Sequence, residues 1–177
     1  MVIALEVVLS AVTGTCVLGV APVLCRLLRR TTIEDITPEW MESFSVERYR
    51  PMLGLLSEED FAFLASQPGF DPSIYKKLRR ERLAIFDQYF NRLILDFKKL
   101  HATARYLVAR SEDDQSDAAV ALIRLRWAFI LAVLQVNLRF QLCKMGLGTV
   151  HAQMLVLKLQ QMSEQLSAVS LPHAATM

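Results

Sequence analysis

The side chains able to do chemistry are few in this sequence, and their spacing groups almost none of them. The three histidines, His101, His151 and His173, stand far apart, and none has a second ligand at the one-turn spacing by which a helix builds a metal site. His101 adjoins Leu100, an apolar seam position, where a hydrogen-bonded structural imidazole is the expected role. The cysteines Cys16, Cys25 and Cys143 form no C-x-x-C pair, and their odd number fits free thiols in a reducing compartment. Cys25, beside Arg26, is the one thiol placed where a juxtamembrane lipid could be attached. The closest glycine pair, Gly146-Leu147-Gly148, lacks the preceding strand that gives a phosphate-cradling loop its meaning, so Gly146 reads as a left-handed helix cap. Ser57 and Ser111, with acidic neighbours, read as caps rather than nucleophiles. The carboxylates of residues 31–75 lack the Glu-x-x-His pairing of di-metal sites. The expectation is a protein that is no enzyme and needs no metal or cofactor.

The densest chemical feature is Lys76-Lys77-Leu78-Arg79-Arg80-Glu81-Arg82, five bases within seven residues near a predicted helix start. Cations there oppose the helix dipole by roughly a few tenths of a kcal/mol each, so something else must stabilise them. The acidic block is one candidate, with Glu58, Glu59 and Asp60 a short helix upstream. Anionic membrane lipid is a second, at about 1 kcal/mol per base near the surface. Nucleic acid is the least expected, because the nearby aromatics Phe86 and Phe90 are taken up by a helix seam.

The elements that must hold these groups are helical. Over 177 residues the chain is 53% apolar with a mean hydropathy of +0.30, which excludes a disordered protein, a disulfide scaffold and a polytopic transporter. The surplus is local: two thirds of the first 30 residues are apolar, against about half of the rest. Val2–Cys25 carries the single charge Glu6 and would rise about 36 Å as a helix, enough for a bilayer core of about 30 Å. A cleaved signal is disfavoured because no base precedes the run and Gly19-Val20-Ala21 is followed by Pro22. A buried soluble helix is disfavoured by the lack of a polar stripe. The arginines Arg26, Arg29 and Arg30 follow with none on the other side, so the positive-inside rule places the N-terminus outside and residues 31–177 in the cytoplasm. Ala11, Thr15 and Gly19 share one face and could pack two spans together.

Residues 31–75 carry a net charge of −7 and residues 76–110 a net +7, an alternation hidden in the overall +2. Thr37-Pro38, Ser57-Glu58 and Asp71-Pro72 each have the cap chemistry of a helix start. Ser73 to Met145 contains neither glycine nor proline, and only Ser111–Ser116 breaks it, which predicts two long helices in a hairpin. Alternating spacings of four and three place Phe86, Phe90, Leu93, Phe97, Leu100, Ala104 and Leu107 on one seam and Leu122, Leu125, Phe129, Ala132 and Val136 on the other. A third helix from about Thr149 offers Leu155, Leu159, Met162, Leu166 and Val169. The apolar run Trp127–Leu134 is too short to span, and a longer span centred on it would bury arginines at about 3 kcal/mol each, so it reads as a bundle helix covered on more than one side.

The expected fold is therefore all-α. A transmembrane anchor with a basic stop flank occupies residues 1–30, acidic short helices and turns 31–72, an antiparallel helical bundle 73–171 and a flexible tail 172–177. The expected role is a single-pass, membrane-anchored interaction or scaffold protein. Its basic helix would touch anionic lipid or an acidic partner, with a protein partner and self-association both in view. The alternative is a regulatory bundle holding a small apolar ligand between helices 73–110 and 117–145, although plain core packing explains the same residues.

Overall fold

The computed structural model describes residues 6, 14, 21–23, 25, 27, 38–68, 71–110, 116–146 and 150–174. Among these residues the regular structure is helical, with no strand. Three long helices make the bundle: α4 (Pro72–Arg110), α5 (Ser116–Lys144) and α6 (Gln153–Ala174). Ahead of them come α1 (Pro38–Ser43), a 3-10 turn (Val46–Tyr49), α2 (Arg50–Gly54) and α3 (Glu58–Ala65).

The boundaries follow local chemistry. The Asp71 carboxylate accepts the Ser73 backbone N–H at 2.8 Å while Pro72 fills the first helical position of α4. Those bonds, from the Ser73 backbone first and its hydroxyl second, hold the Asp71 carboxyl below the usual carboxylate range. At the far end of α5, Gly146 takes φ +87°, a conformation that costs glycine little and other residues much. Helix α6 continues through Pro172 to Ala174, beyond the expected end of the bundle at 171.

Each long helix packs on the other two. Contacts between α4 and α5 run in opposite chain directions: Arg79 meets Cys143, Phe86 meets Phe140 and Phe97 meets Phe129, so the pair is antiparallel. Eight residues separate α5 from α6, a reach of at most about 28 Å, too short to return along the whole of α5, so these two are antiparallel as well. The core is the expected set of seams. Phe86, Phe90, Leu93, Phe97, Leu100 and Ala104 of α4 are buried, as are Leu122, Leu125, Phe129, Ala132 and Val136 of α5 and Leu155, Leu159, Met162 and Leu166 of α6. Leu107 is half-buried against them, and the side chain of Val169 lies outside the described residues. Each fully buried Phe or Leu contributes about 1.5–3 kcal/mol of transfer free energy, which holds helices whose propensity alone would not.

The acidic segment runs back along α4. Trp40 sits under the Lys99 ammonium at 5.1 Å, Tyr49 donates to Asp96 at 2.6 Å and lies edge-on to Tyr89, and Asp60 pairs with Arg82 at 2.9 Å. Residue number rises along this segment as it falls along α4. The 3-10 turn and α2 were not legible as elements, and they bring Tyr49 and Met52 into the core.

The expected N-terminal span falls mostly outside the described residues, as do Arg26, Arg29 and Arg30. Of the part that is described, Val23 and Leu27, one helical turn apart, are buried with the bundle core, while Pro22 and Cys25 are exposed. Among the described residues the helix long and apolar enough to cross a membrane, by length and composition, is α5, mid-chain rather than N-terminal. The short run Trp127–Leu134 understated it, because apolar residues continue on both sides of the intervening arginines.

Candidate interaction surfaces

The five clustered bases on α4 do not act as one patch. Arg79 turns inward and donates to the Cys143 carbonyl at 2.5 Å, a second donor to an acceptor that already takes the Gly146 N–H at 3.0 Å at the end of α5. Arg82 is half-buried and pairs with Asp60 of α3. Lys76, Lys77 and Arg80 are exposed and fall together at i, i+1 and i+4. The acidic block thus reaches the basic cluster through the Asp60–Arg82 pair among the described residues, and three of the five bases face solvent.

Among the described residues no cluster of His, Cys, Asp or Glu could hold a metal ion. Cys143 is buried and Cys25 exposed, while Cys16 lies outside the described residues. His151 is exposed, and His173 sits on the last turn of α6. His101 is buried between α4 and α5, with its ring over Phe97 and no hydrogen bond at Nε2. Burial, helped by the positive charges of Arg126 and Arg105 and opposed by a hydrogen bond to the Leu122 backbone, lowers its pKa to about 4. It is a neutral structural imidazole at pH 7.

A carboxylate gave no signal of its own in the sequence. Asp96 is fully buried; it accepts the Tyr49 hydroxyl, and its other oxygen lies 3.4 Å from Arg92 Nε. Burial, the hydrogen bond to Asp96 and the Asp96 charge all push the Tyr49 hydroxyl well above its usual range, so it stays protonated and donates. The clue was positional: Asp96 stands three residues after Leu93 and four before Leu100, inside the apolar seam. This pair latches the acidic segment to α4.

The seam between α4 and α5, where a small apolar ligand was an alternative, is filled by rings. Phe97 and Phe129 stack with centroids 3.6 Å apart and planes 3° from parallel, and Phe86 lies 4.9 Å from Phe140. An open groove of about 510 Å³ lies between α5 and α6. Asp117, Arg124, Lys158 and Gln165 line it with Val120 and Ala128, and Gln165 Oε1 is buried without a hydrogen-bond donor.

Beside that groove lies the surface that departs most from a soluble norm. On the outer side of α5, Val120, Ile123, Trp127, Leu131 and Leu138 are 45, 56, 60, 64 and 42% exposed, with Leu134 half-buried among them. Their spacings of three, four, four, three and four make one continuous stripe about 27 Å long, opposite the face that packs on α4 and α6. Contiguous apolar patches above a few hundred Å² are uncommon on monomers and mark interaction sites. The run was expected to be covered on more than one side; α4 and α6 cover its two inner flanks and leave the third open.

No family model, curated protein or solved structure matches this chain. The functional reading therefore stands on these surfaces alone.

Proposed function

We propose that this chain is a membrane-anchored, non-enzymatic interaction protein. In this reading the apolar segment Val2–Cys25 and the flank Arg26, Arg29 and Arg30 hold it at a membrane, with residues 31–177 in the cytoplasm. The bundle presents the outer face of α5 to a protein partner, and Lys76, Lys77 and Arg80 remain free to meet anionic lipid or an acidic surface. Composition and charge asymmetry support the anchor. The observation that carries the interaction role is the exposed stripe on α5, a helix whose opposite face is already core.

Photo-crosslinking tests it. A benzophenone amino acid at Leu131 of the full chain in native membranes is expected to yield a protein adduct, and the same group at the exposed Gln88 of α4 is not. Adducts only with lipid at Leu131, or equal adducts at both positions, would remove the interaction role. Carbonate extraction tests the anchor separately: the intact chain should stay in the membrane pellet, and its release would leave the anchor without support.

A further inference from the structure

We propose that the partner of the α5 outer face is a second copy of this chain, packed antiparallel about a two-fold axis beside Phe129. This inference rests on the reading of that face as an interaction surface and names its occupant.

The charges at the edge of the stripe carry the argument. Asp117, Arg124, Gln135 and Arg139 are exposed and fall along one flank of it, 40–100° around the helix from the stripe's centre line at about 100° per residue. In a two-fold antiparallel pair each flank meets the same flank of the other copy, run in reverse. Setting Val120 opposite the other copy's Leu138 also sets Trp127 opposite Leu131, which closes the apolar stripe on itself. The same register brings Asp117 within one turn of the other copy's Arg139, and Arg124 beside its Gln135. Both polar matches occur twice.

A parallel pair in register fails on the same residues. In a parallel two-fold pair each flank meets the opposite flank of the other copy at the same height, so Asp117 and Arg139, about 33 Å apart along the helix, never meet and the stripe is left without its charge match. The antiparallel pair also opposes the two helix dipoles.

The groove between α5 and α6 opens on this flank. Because α5 and α6 are antiparallel, Gln165 lies toward the Asp117 end of the groove and Lys158 toward the Ala128 end. Lys158 donates to Gln161 at 3.0 Å. An Arg139 side chain arriving from the other copy would enter the groove at its Asp117 end. A guanidinium has five donors in a fixed fork and suits the exposed Asp117 carboxylate. A lipid surface, the other claimant for an apolar stripe, supplies no partner for Asp117.

Charge reversal in the full chain, purified in mild detergent, tests this directly. Asp117 and Arg139 of one chain are 22 residues apart on one helix, about 33 Å, and cannot compensate each other within it. The unaltered chain is expected to be dimeric by native mass spectrometry. Asp117→Arg and Arg139→Asp alone should each raise the dimer dissociation constant about tenfold or more, since each turns two attractions into two repulsions. The double variant D117R/R139D should return it to within about threefold of the unaltered chain, because the same pairs re-form with signs exchanged. A monomeric unaltered chain, or a double variant no tighter than either single one, would overturn the proposal. The crosslink at Leu131 separates this failure from that of the broader reading. An adduct of twice the chain mass supports the second copy, and an adduct with a different protein overturns the self-association while leaving the interaction role. Lipid adducts alone overturn both.

Discussion

Helices α4 and α5 meet along one ring-filled seam, yet their outer sides differ in kind. The solvent side of α4 carries Lys76, Lys77, Arg80, Glu81, Gln88, Arg92 and Arg105, and its exposed apolar residues Ile74, Ile85, Leu95 and Tyr106 stand about 16 Å apart along the helix. Single apolar side chains at that separation are ordinary on a soluble surface. The outer side of α5 has a large apolar residue on every turn from Val120 to Leu138, with the exposed Asp117, Arg124 and Arg139 on one flank and the half-buried Arg126 on the other. The same seam chemistry therefore builds two helices of which one is finished by solvent and the other is not. That contrast, rather than any cluster of reactive groups, points to where the protein acts.

Substitutions can break the comparison from its inner side first. Phe129→Ala removes a ring stacked on Phe97 in the middle of the seam and should cost about 3–5 kcal/mol of stability. Urea unfolding of the full chain in mild detergent, followed by circular dichroism, measures it; a cost below about 1 kcal/mol would mean that the seam is not the core.

The buried imidazole comes next. His101 has a folded pKa of about 4, below the roughly 6.5 of an unfolded chain, so between these values the unfolded state binds more protons. Its contribution is fully present above pH 6.5 and is lost as pH falls toward 4, by about 3 kcal/mol in total. His101→Leu should flatten that part of the stability profile between pH 7 and pH 4. An unchanged difference between the two pH values would show that the imidazole takes up its proton as readily in the fold as in the unfolded chain.

Tyr49→Phe should cost about 1–3 kcal/mol, because it leaves the buried Asp96 carboxyl without its hydroxyl donor. Trp127→Ser, on the outer side of α5, should move monomer stability by less than about 0.5 kcal/mol while dissociating the dimer. A large loss of monomer stability from Trp127→Ser would erase the distinction between the two faces.

Much of this was legible along the chain because it is local. Pro38, Asp71 and Gly146 act at the helix ends they flank, and a spacing of three and four selects buried residues of all three long helices. The expected cap Thr37 and the loop residues Ser111–Gln115 lie outside the described residues. The Val46–Gly54 segment was not legible, since Pro51 and the charged residues around it give no periodic pattern and its place is fixed by the distant Tyr49–Asp96 contact. The fate of the five bases was not legible either. Whether an arginine reaches a carbonyl on another helix, as Arg79 does, or an acid on a short one, as Arg82 does, depends on which elements become neighbours. For α5, the apolar composition was visible on every side, but composition does not tell which side its neighbours leave open.

Inter-chain distances between spin labels test the central claim most directly. With Cys16, Cys25 and Cys143 replaced by alanine, single labels are placed at Ser116 or at Gln135 of the full chain. An antiparallel pair centred beside Phe129 separates the Ser116 labels by about 40 Å along the helix axis and the Gln135 labels by about 18 Å. That unequal pair of distances is the expected result. Equal short distances at both positions, or no coupling between chains at either, would contradict it.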